Sequence, residues 1–392
     1  MNQATSRLPL LQTVAVAVIL SGCGGDASGP AATPAHVVGG AARHHSAGLG
    51  AVVTSQGGQI YGFDINQDGT DGVLATQFNV ETFDQDTGKI TAVFPKKTPR
   101  GTSYSAVNIS TGDVGLITRY VVPKGKIYAK RFYNVINPVT GGKFTGKWTP
   151  PVKDIQVEAA GPNQSVANTG IFAIELKNQD VPDVFESNIA ANTFGKVIHL
   201  DPNEFSLGDQ PQFAQDTATN QAVIATSPDG GRVGGAAPIN LLVNLRTGKQ
   251  TEFTGLNNGY YGAGFVNGLA VDSTTGIAAT DTELNAQVEF YNLAKQTGTA
   301  AQLPCTGDTS QYNSGSGIAN DSAHGLFLVT EQNYCNGSQG SAIVVYDESG
   351  NLVETITGFT FAIGEPAPVI NPSQRMGWVF GPGFSQLQQF FY

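Results

Sequence analysis

The chain has 392 residues and a formal net charge of −10, with only 13% charged residues and 49 glycines. Sparse, mildly acidic charge argues against duplex DNA or RNA as a partner, because phosphate affinity rests on clusters of Lys and Arg. A 40% apolar fraction excludes a chain disordered throughout, and abundant Gly with little charge favours short strands and turns over helices.

At the N-terminus, Arg7 precedes an apolar run, Leu8 to Leu20, too short to span a bilayer as a stable helix. The run ends in Leu20-Ser21-Gly22-Cys23, which resembles the bacterial lipobox. That resemblance implies cleavage before Cys23 and a diacylglyceryl group on its sulfur, so that membrane lipid is the first expected partner. With Gly24 rather than Asp next, it also implies passage to the outer membrane, facing the periplasm or the surface. An ordinary cleaved secretion signal is the alternative. Residues 1–22 are thus read as a signal peptide and 23–48 as the lipidated cysteine with a flexible Gly/Ala/Pro tether; 49–392 form one domain, expected to be monomeric. In an oxidising compartment the two remaining cysteines, Cys305 and Cys335, form a disulfide by default, with a pair of free buried thiols as the alternative.

A polar turn then recurs after apolar strands: Thr87-Gly88-Lys89, Thr140-Gly141-Gly142-Lys143, Thr193-Phe194-Gly195-Lys196, Thr247-Gly248-Lys249, Thr297-Gly298 and Ser349-Gly350, spaced 50–54 residues apart. A fixed period of this size signals a propeller or a solenoid. Between the turns lie short runs rich in Val, Ile, Tyr, Phe and Thr, four per unit, as in residues 268–303 and 317–358. First-turn positions fall at Asn66, Asn108, Asn163, Asp216, Asp272, Asp321 and Asn371, giving seven units, the third (155–203) the least regular. The last unit lacks one strand, and Ala51–Ser55 is one strand too many at the start, so the N-terminal strand is predicted to complete the last blade. The expected fold is all-β, a seven-bladed β-propeller of four-stranded antiparallel blades, with six or eight blades as alternatives. Phe390-Phe391-Tyr392 is read as the final core strand.

The blades Asn267-Gly268-Leu269-Ala270-Val271-Asp272 to Tyr291-Asn292-Leu293 and Gly317-Ile318-Ala319-Asn320-Asp321 to Val345-Tyr346-Asp347 resemble those of NHL and YVTN-like propellers. The resemblance implies a fold and says little of activity. With strands lettered A to D from the axis outward, Cys305 and Cys335 fall on one face in adjacent blades.

Two metal readings follow. Asp64-Ile65-Asn66-Gln67-Asp68-Gly69-Thr70-Asp71 resembles an oxygen-rich calcium loop, with Asp64, Asn66, Asp68 and Asp71 as ligands; a metal-free turn rich in Asx and Gly is the competing reading, since Ala75 stands where an EF-hand has its Glu. Asn267-Gly268-Leu269 resembles the metal-binding Asn of gluconolactonase-like propellers, with Glu365 the nearest inner-strand acid; one Asn is too few ligands for a hydrolytic metal. No H-E-x-x-H, G-x-S-x-G or P-loop pattern occurs. The B–C connections Ser227–Gly235 and Asn333–Gln339, with residues 178–192, offer a face for a protein or glycan partner. A non-enzymatic binding or scaffold module is the first expectation, and a metal-dependent lactonase-like hydrolase the second.

Overall fold

The computed structural model describes residues 47–66, 69–95, 102–109, 115–124, 130–137, 143–151, 154–162, 169–176, 183–200, 212–225, 240–253, 266–282, 287–304, 315–331, 340–359, 367–380 and 385–392. Strand β1 (Gly48–Thr54) comes first. Blade one is β2 (Ile60–Ile65), β3 (Asp71–Thr76), β4 (Val80–Asp84) and β5 (Ile90–Phe94). Blade two is β6 (Thr102–Ile109), β7 (Gly115–Val121), β8 (Lys130–Ile136) and β9 (Phe144–Trp148). Blade three has β10 (Asp154–Pro162), β11 (Thr169–Leu176) and β12 (Asp183–Asn188), with an outer edge split between β13 (Thr193–Phe194) and β14 (Ile198–His199). Blade four is β15 (Gln212–Asp216), β16 (Gln221–Ala225), β17 (Asn240–Asn244) and β18 (Gln250–Phe253). Blade five is β19 (Val266–Asp272), β20 (Ile277–Thr282), β21 (Gln287–Asn292) and β22 (Thr297–Gln302). Blade six is β23 (Gly315–Asp321), β24 (Leu326–Glu331), β25 (Ala342–Asp347) and β26 (Leu352–Ile356). Blade seven joins β27 (Val369–Asn371), β28 (Met376–Phe380) and β29 (Gln386–Phe391) to β1.

Each innermost strand lies against the next, β2 with β6, β6 with β10, β10 with β15, β15 with β19, β19 with β23, β23 with β27 and β27 with β2, so the ring is closed. The molecule is a seven-bladed all-β propeller, as the repeat predicts. Closure falls where the strand deficit and surplus place it: β1 runs antiparallel to β29, pairing Gly48 with Phe391 and Thr54 with Gln386. Phe390 and Tyr392 are buried at the seam between blades six and seven.

The core is divided into seven apolar clusters, one in each seam. In β24, Leu326 and Leu328 pack toward blade seven while Phe327 and Val329 pack toward blade five. Both faces of such a sheet are buried, so its strands read as continuous apolar runs rather than alternating ones. Blade six against blade five also explains Gly268: a Cβ there would lie 2.6 Å from the Ile318 amide nitrogen and 2.9 Å from Gly317 Cα.

The recurring turn is the C–D turn. An Asx residue ends the third strand of blades one, three, four, five and six and caps it: Asp84 Oδ1 accepts from the Thr87 amide at 2.8 Å, Asn244 Oδ1 from the Thr247 amide at 2.8 Å and Asp347 Oδ1 from the Ser349 amide at 2.8 Å. Gly88, Gly248 and Gly350 take the left-handed position that follows (φ 68°, 78° and 80°). In two blades the sequence register is corrected. Asn192 and Gln296 occupy the left-handed position (φ 52° and 55°), and Thr193 and Thr297 already belong to outer strands, because in these turns of equal length the threonine falls just after the left-handed position rather than before it. Asn108 is likewise not a turn residue but lies within β6, paired with Leu116. Residues 183–192, grouped above with the B–C loops, form β12 and the C–D turn on the opposite face.

Gly268→Ala is expected to cost about 1–3 kcal/mol through the blade-to-blade clash. Gly146→Ala in β9, whose Cβ would meet only Val135 at 3.7 Å, should change stability by less than about 0.5 kcal/mol. Paired urea titrations measure both.

Candidate functional site

The calcium-like segment is the A–B turn of blade one. Asn66 is fully buried, and its Oδ1 accepts from the amides of Thr70 (3.2 Å) and Asp71 (2.9 Å) and from Gln85 Nε2 (2.8 Å). Asp64 Oδ1 accepts from the Ile65 amide at 2.8 Å, and Thr70 Oγ1 donates to Asp71 Oδ2 at 2.9 Å; Asp68 lies outside the described residues. The same polar capping recurs around the ring. Asp216 receives the amide of Ala218 and the hydroxyl of Thr219, Asp272 the amide of Thr274, and Asp321 the amide of His324. Buried carboxylates are tolerated here because each is met by several donors.

On this turn face the caps also join blades. Asp321, fully buried, accepts the Tyr392 hydroxyl at 3.0 Å and lies 2.8 Å from His324 Nδ1, tying the end of the chain to blade six. Glu348 follows the last strand-C residue of blade six; the Thr275 hydroxyl of blade five donates to its Oε1 at 2.6 Å, and its carboxyl is hydrogen-bonded to Asp272. Burial first, then Asp272 and the charge of Asp347, raise the Glu348 carboxyl above its ordinary value, against the Thr275 hydroxyl. Burial also pulls up its neighbour Asp347, but bonds from Asn351, Ser349 and Gly350 outweigh it and hold that group below its ordinary value. His199 lies in blade three, 2.7 Å from Asp183, three blades away from His324.

At the axis, a β-bulge interrupts the inner strand of five blades, and Asn267 is the extra residue of blade five. Its counterparts are Tyr61, Ala106, Glu158 and Ser316. Tyr61, Asn267 and Ser316 each stand five residues before the first-turn positions 66, 272 and 321, so they occupy equivalent places in their strands. Strand β10 has two such shifts, at Ile155 and at Glu158, and Glu158 is an inner-strand acid that the sequence alone did not single out. Glu365 lies outside the described residues.

Of the opposite, loop-bearing face, Ser227–Gly235, Asn333–Gln339, Cys305 and Cys335 lie outside the described residues. At its blade-one corner, burial raises the Glu81 carboxyl, only partly opposed by bonds from Gln56, Gly57, Asn79 and Ser55. Glu81 thereby ties the connection from blade seven to the third strand of blade one. Blade two carries a second feature the sequence reading missed. Arg119 sits over the Phe132 ring at 5.0 Å and Arg131 over the Tyr120 ring at 5.8 Å, each pair directly opposite in the β7–β8 ladder.

No protein-family model matches the sequence, and no curated protein matches it. Among solved structures, a chain of a mitotic checkpoint complex is similar at a TM-score of 0.60 and 11% identity, over 100% of this chain and 99% of that one. At that identity the likeness is one of fold.

Asn66→Ala is expected to cost about 1–3 kcal/mol by removing the acceptor of the Thr70 and Asp71 amides at this turn, and by the same amount in calcium as in chelator. Parallel thermal melts check this. Because folded Glu348 holds its proton more tightly than the unfolded chain, stability falls as pH rises from the ordinary carboxylate value to the raised folded one. A glutamine amide in its place could accept from Thr275 and donate to Asp272. Glu348→Gln should therefore raise the melting temperature at neutral pH and leave it unchanged in acid. Asp347→Asn should do the reverse at neutral pH, since a depressed carboxylate stabilises above its unfolded value and loses that contribution as pH falls.

Proposed function

We propose that this chain is a lipid-anchored, extracytoplasmic β-propeller that works as a binding or scaffold module, taking a protein or glycan partner on its loop-bearing face. What carries this reading is how the buried polar groups are engaged. Asn66, Asp216, Asp272, Asp321 and Glu81 hold turns and seams, and build a rigid ring rather than a reaction centre. Rigid rings of this kind present recognition through the loops between strands. A similar fold in a chain of a multi-protein complex supports the same use. The anchor rests on the apolar run and Cys23. The ring is compatible with it, because β1 is the outermost strand of blade seven and the preceding residues join it on the turn face, away from the B–C loops.

Cys23→Ala is expected to move the protein from the membrane to the soluble fraction and abolish incorporation of labelled fatty acid. Photo-crosslinkers in residues 227–235 or 333–339 should yield a discrete partner adduct, and crosslinkers at Lys249 or Lys295 on the turn face should not. Equal labelling from both faces would refute the binding-face assignment.

A second reading, a metal-dependent lactonase-like hydrolase, draws on Glu158 and Asn267, each the extra residue at a bulge of an inner strand. It requires lactone hydrolysis dependent on added calcium, zinc or manganese and lost in both Glu158→Gln and Asn267→Ala.

A further inference from the structure

The charge of the chain is unevenly placed. Residues 95–153, which comprise blade two with its flanking connections, hold 11 of the 21 Lys and Arg and a single acid, Asp113. One blade therefore carries +10 in a chain of −10, and everything else amounts to −20. The excess is concentrated on the β7–β8 hairpin. Its first part is core: Gly115–Ile117 and Tyr133–Ile136 are buried. Beyond Thr118 the hairpin leaves the packed ring toward the loop face, half-buried through Val121 and then exposed. Lys124 and Lys130 are exposed there, Val122 is 42% exposed and Phe132 38%. Each half-buried arginine lies over an aromatic ring, one pair on either face of the hairpin, with no carboxylate for Arg119 among the described residues. Lys143 and Lys147 extend the positive charge down the exposed outer strand β9.

We infer that the edge of blade two is a docking surface for an anionic phospholipid bilayer. Three observations select that partner. The net positive excess falls on blade two while the remainder is net acidic, which orients the ring edge-on to an extended anionic plane and repels a wrapping polyanion. Exposed Val122 and Phe132 stand among the cations, the mixture that settles at the boundary of headgroups and acyl chains and that a purely electrostatic site does not need. Finally, Arg, Lys, Tyr and Phe together match the composition of membrane-interface belts. The docking is independent of Cys23, and leaves the turn face and the axis free.

The test uses residues 47–392, which contain every strand of the closed ring and lack Cys23, in co-sedimentation with phosphatidylcholine vesicles with and without phosphatidylglycerol. Binding is expected only with the anionic lipid and should weaken as salt rises. With about a fivefold contribution per basic residue near the surface, Lys124→Gln with Lys130→Gln should weaken binding about thirtyfold. Phe132→Ala should weaken it several-fold even at high salt. Lys249→Gln with Lys295→Gln, on the opposite face, should leave it unchanged. Circular dichroism melts confirm that each variant is folded; if Phe132→Ala is not, Val122→Ser replaces it. Equal binding to uncharged vesicles, or equal loss in the Lys249/Lys295 variant, would overturn the inference. So would preferential binding to dextran sulfate or single-stranded DNA with Phe132 irrelevant, since the site would then be one for a soluble polyanion.

Discussion

The structure depends on ring closure, because no blade has a core of its own. Every sheet presents apolar side chains on both faces, as β24 does with Leu328 toward one neighbour and Phe327 toward the other. A single blade would leave both of those faces in water, and six blades in an open arc would still leave two terminal faces and an unpaired edge. Pairing β1 with β29 removes the edge, and the cluster of Val53, Ile60, Trp378 and Leu387 fills the last seam. The two ends of the chain thus decide together whether the other seams exist.

Closure is reinforced by polar groups that would otherwise be costly to bury. The Asx residues that end the first and third strands accept the amides exposed where the chain reverses, and some reach into the next blade. Asp321 holds Tyr392, and Asp272 meets Glu348 across the seam of blades five and six. The latter contact sets two carboxyl groups against each other, so this seam is more comfortable with a proton than without one. Its neighbour Asp347 has the opposite preference, because four hydrogen bonds favour its charged form. Stability against pH is therefore a balance of adjacent groups of opposite sign rather than the property of one residue.

The ring also separates roles around its circumference. Its turn face is occupied by capping networks, its loop face carries the long connections, and one edge concentrates the positive charge. A uniform repeat would distribute charge evenly; here blade two departs from the other six in its net positive charge and in its ring-stacked arginines. Such a departure within an otherwise regular scaffold marks where interaction chemistry has been added to a fold that does not itself specify function.

Much of this was legible in the sequence. The 50–54-residue spacing, the Asx-rich turns and the matched strand surplus and deficit set the blade number and the means of closure, because they are local properties of turns and of strand count. The same residues misled where Thr-Gly falls after the left-handed position in a turn of the same length: that position is Gln296, not Gly298, and Asn108 is a strand residue. At Asn66 the same oxygens suit a cation or an amide, so calcium loop and plain turn read alike in the sequence; the structure adds that Thr70, Asp71 and Gln85 donate to its Oδ1. The bulges that leave Glu158 and Asn267 unpaired arise from strand pairing, and the Asp272–Glu348 contact joins residues far apart in the chain. Local sequence determined the repeating module and how it would close; the tertiary structure alone decided which side chains meet across the seams and along the axis, because those neighbours are set by register and rotation about the ring.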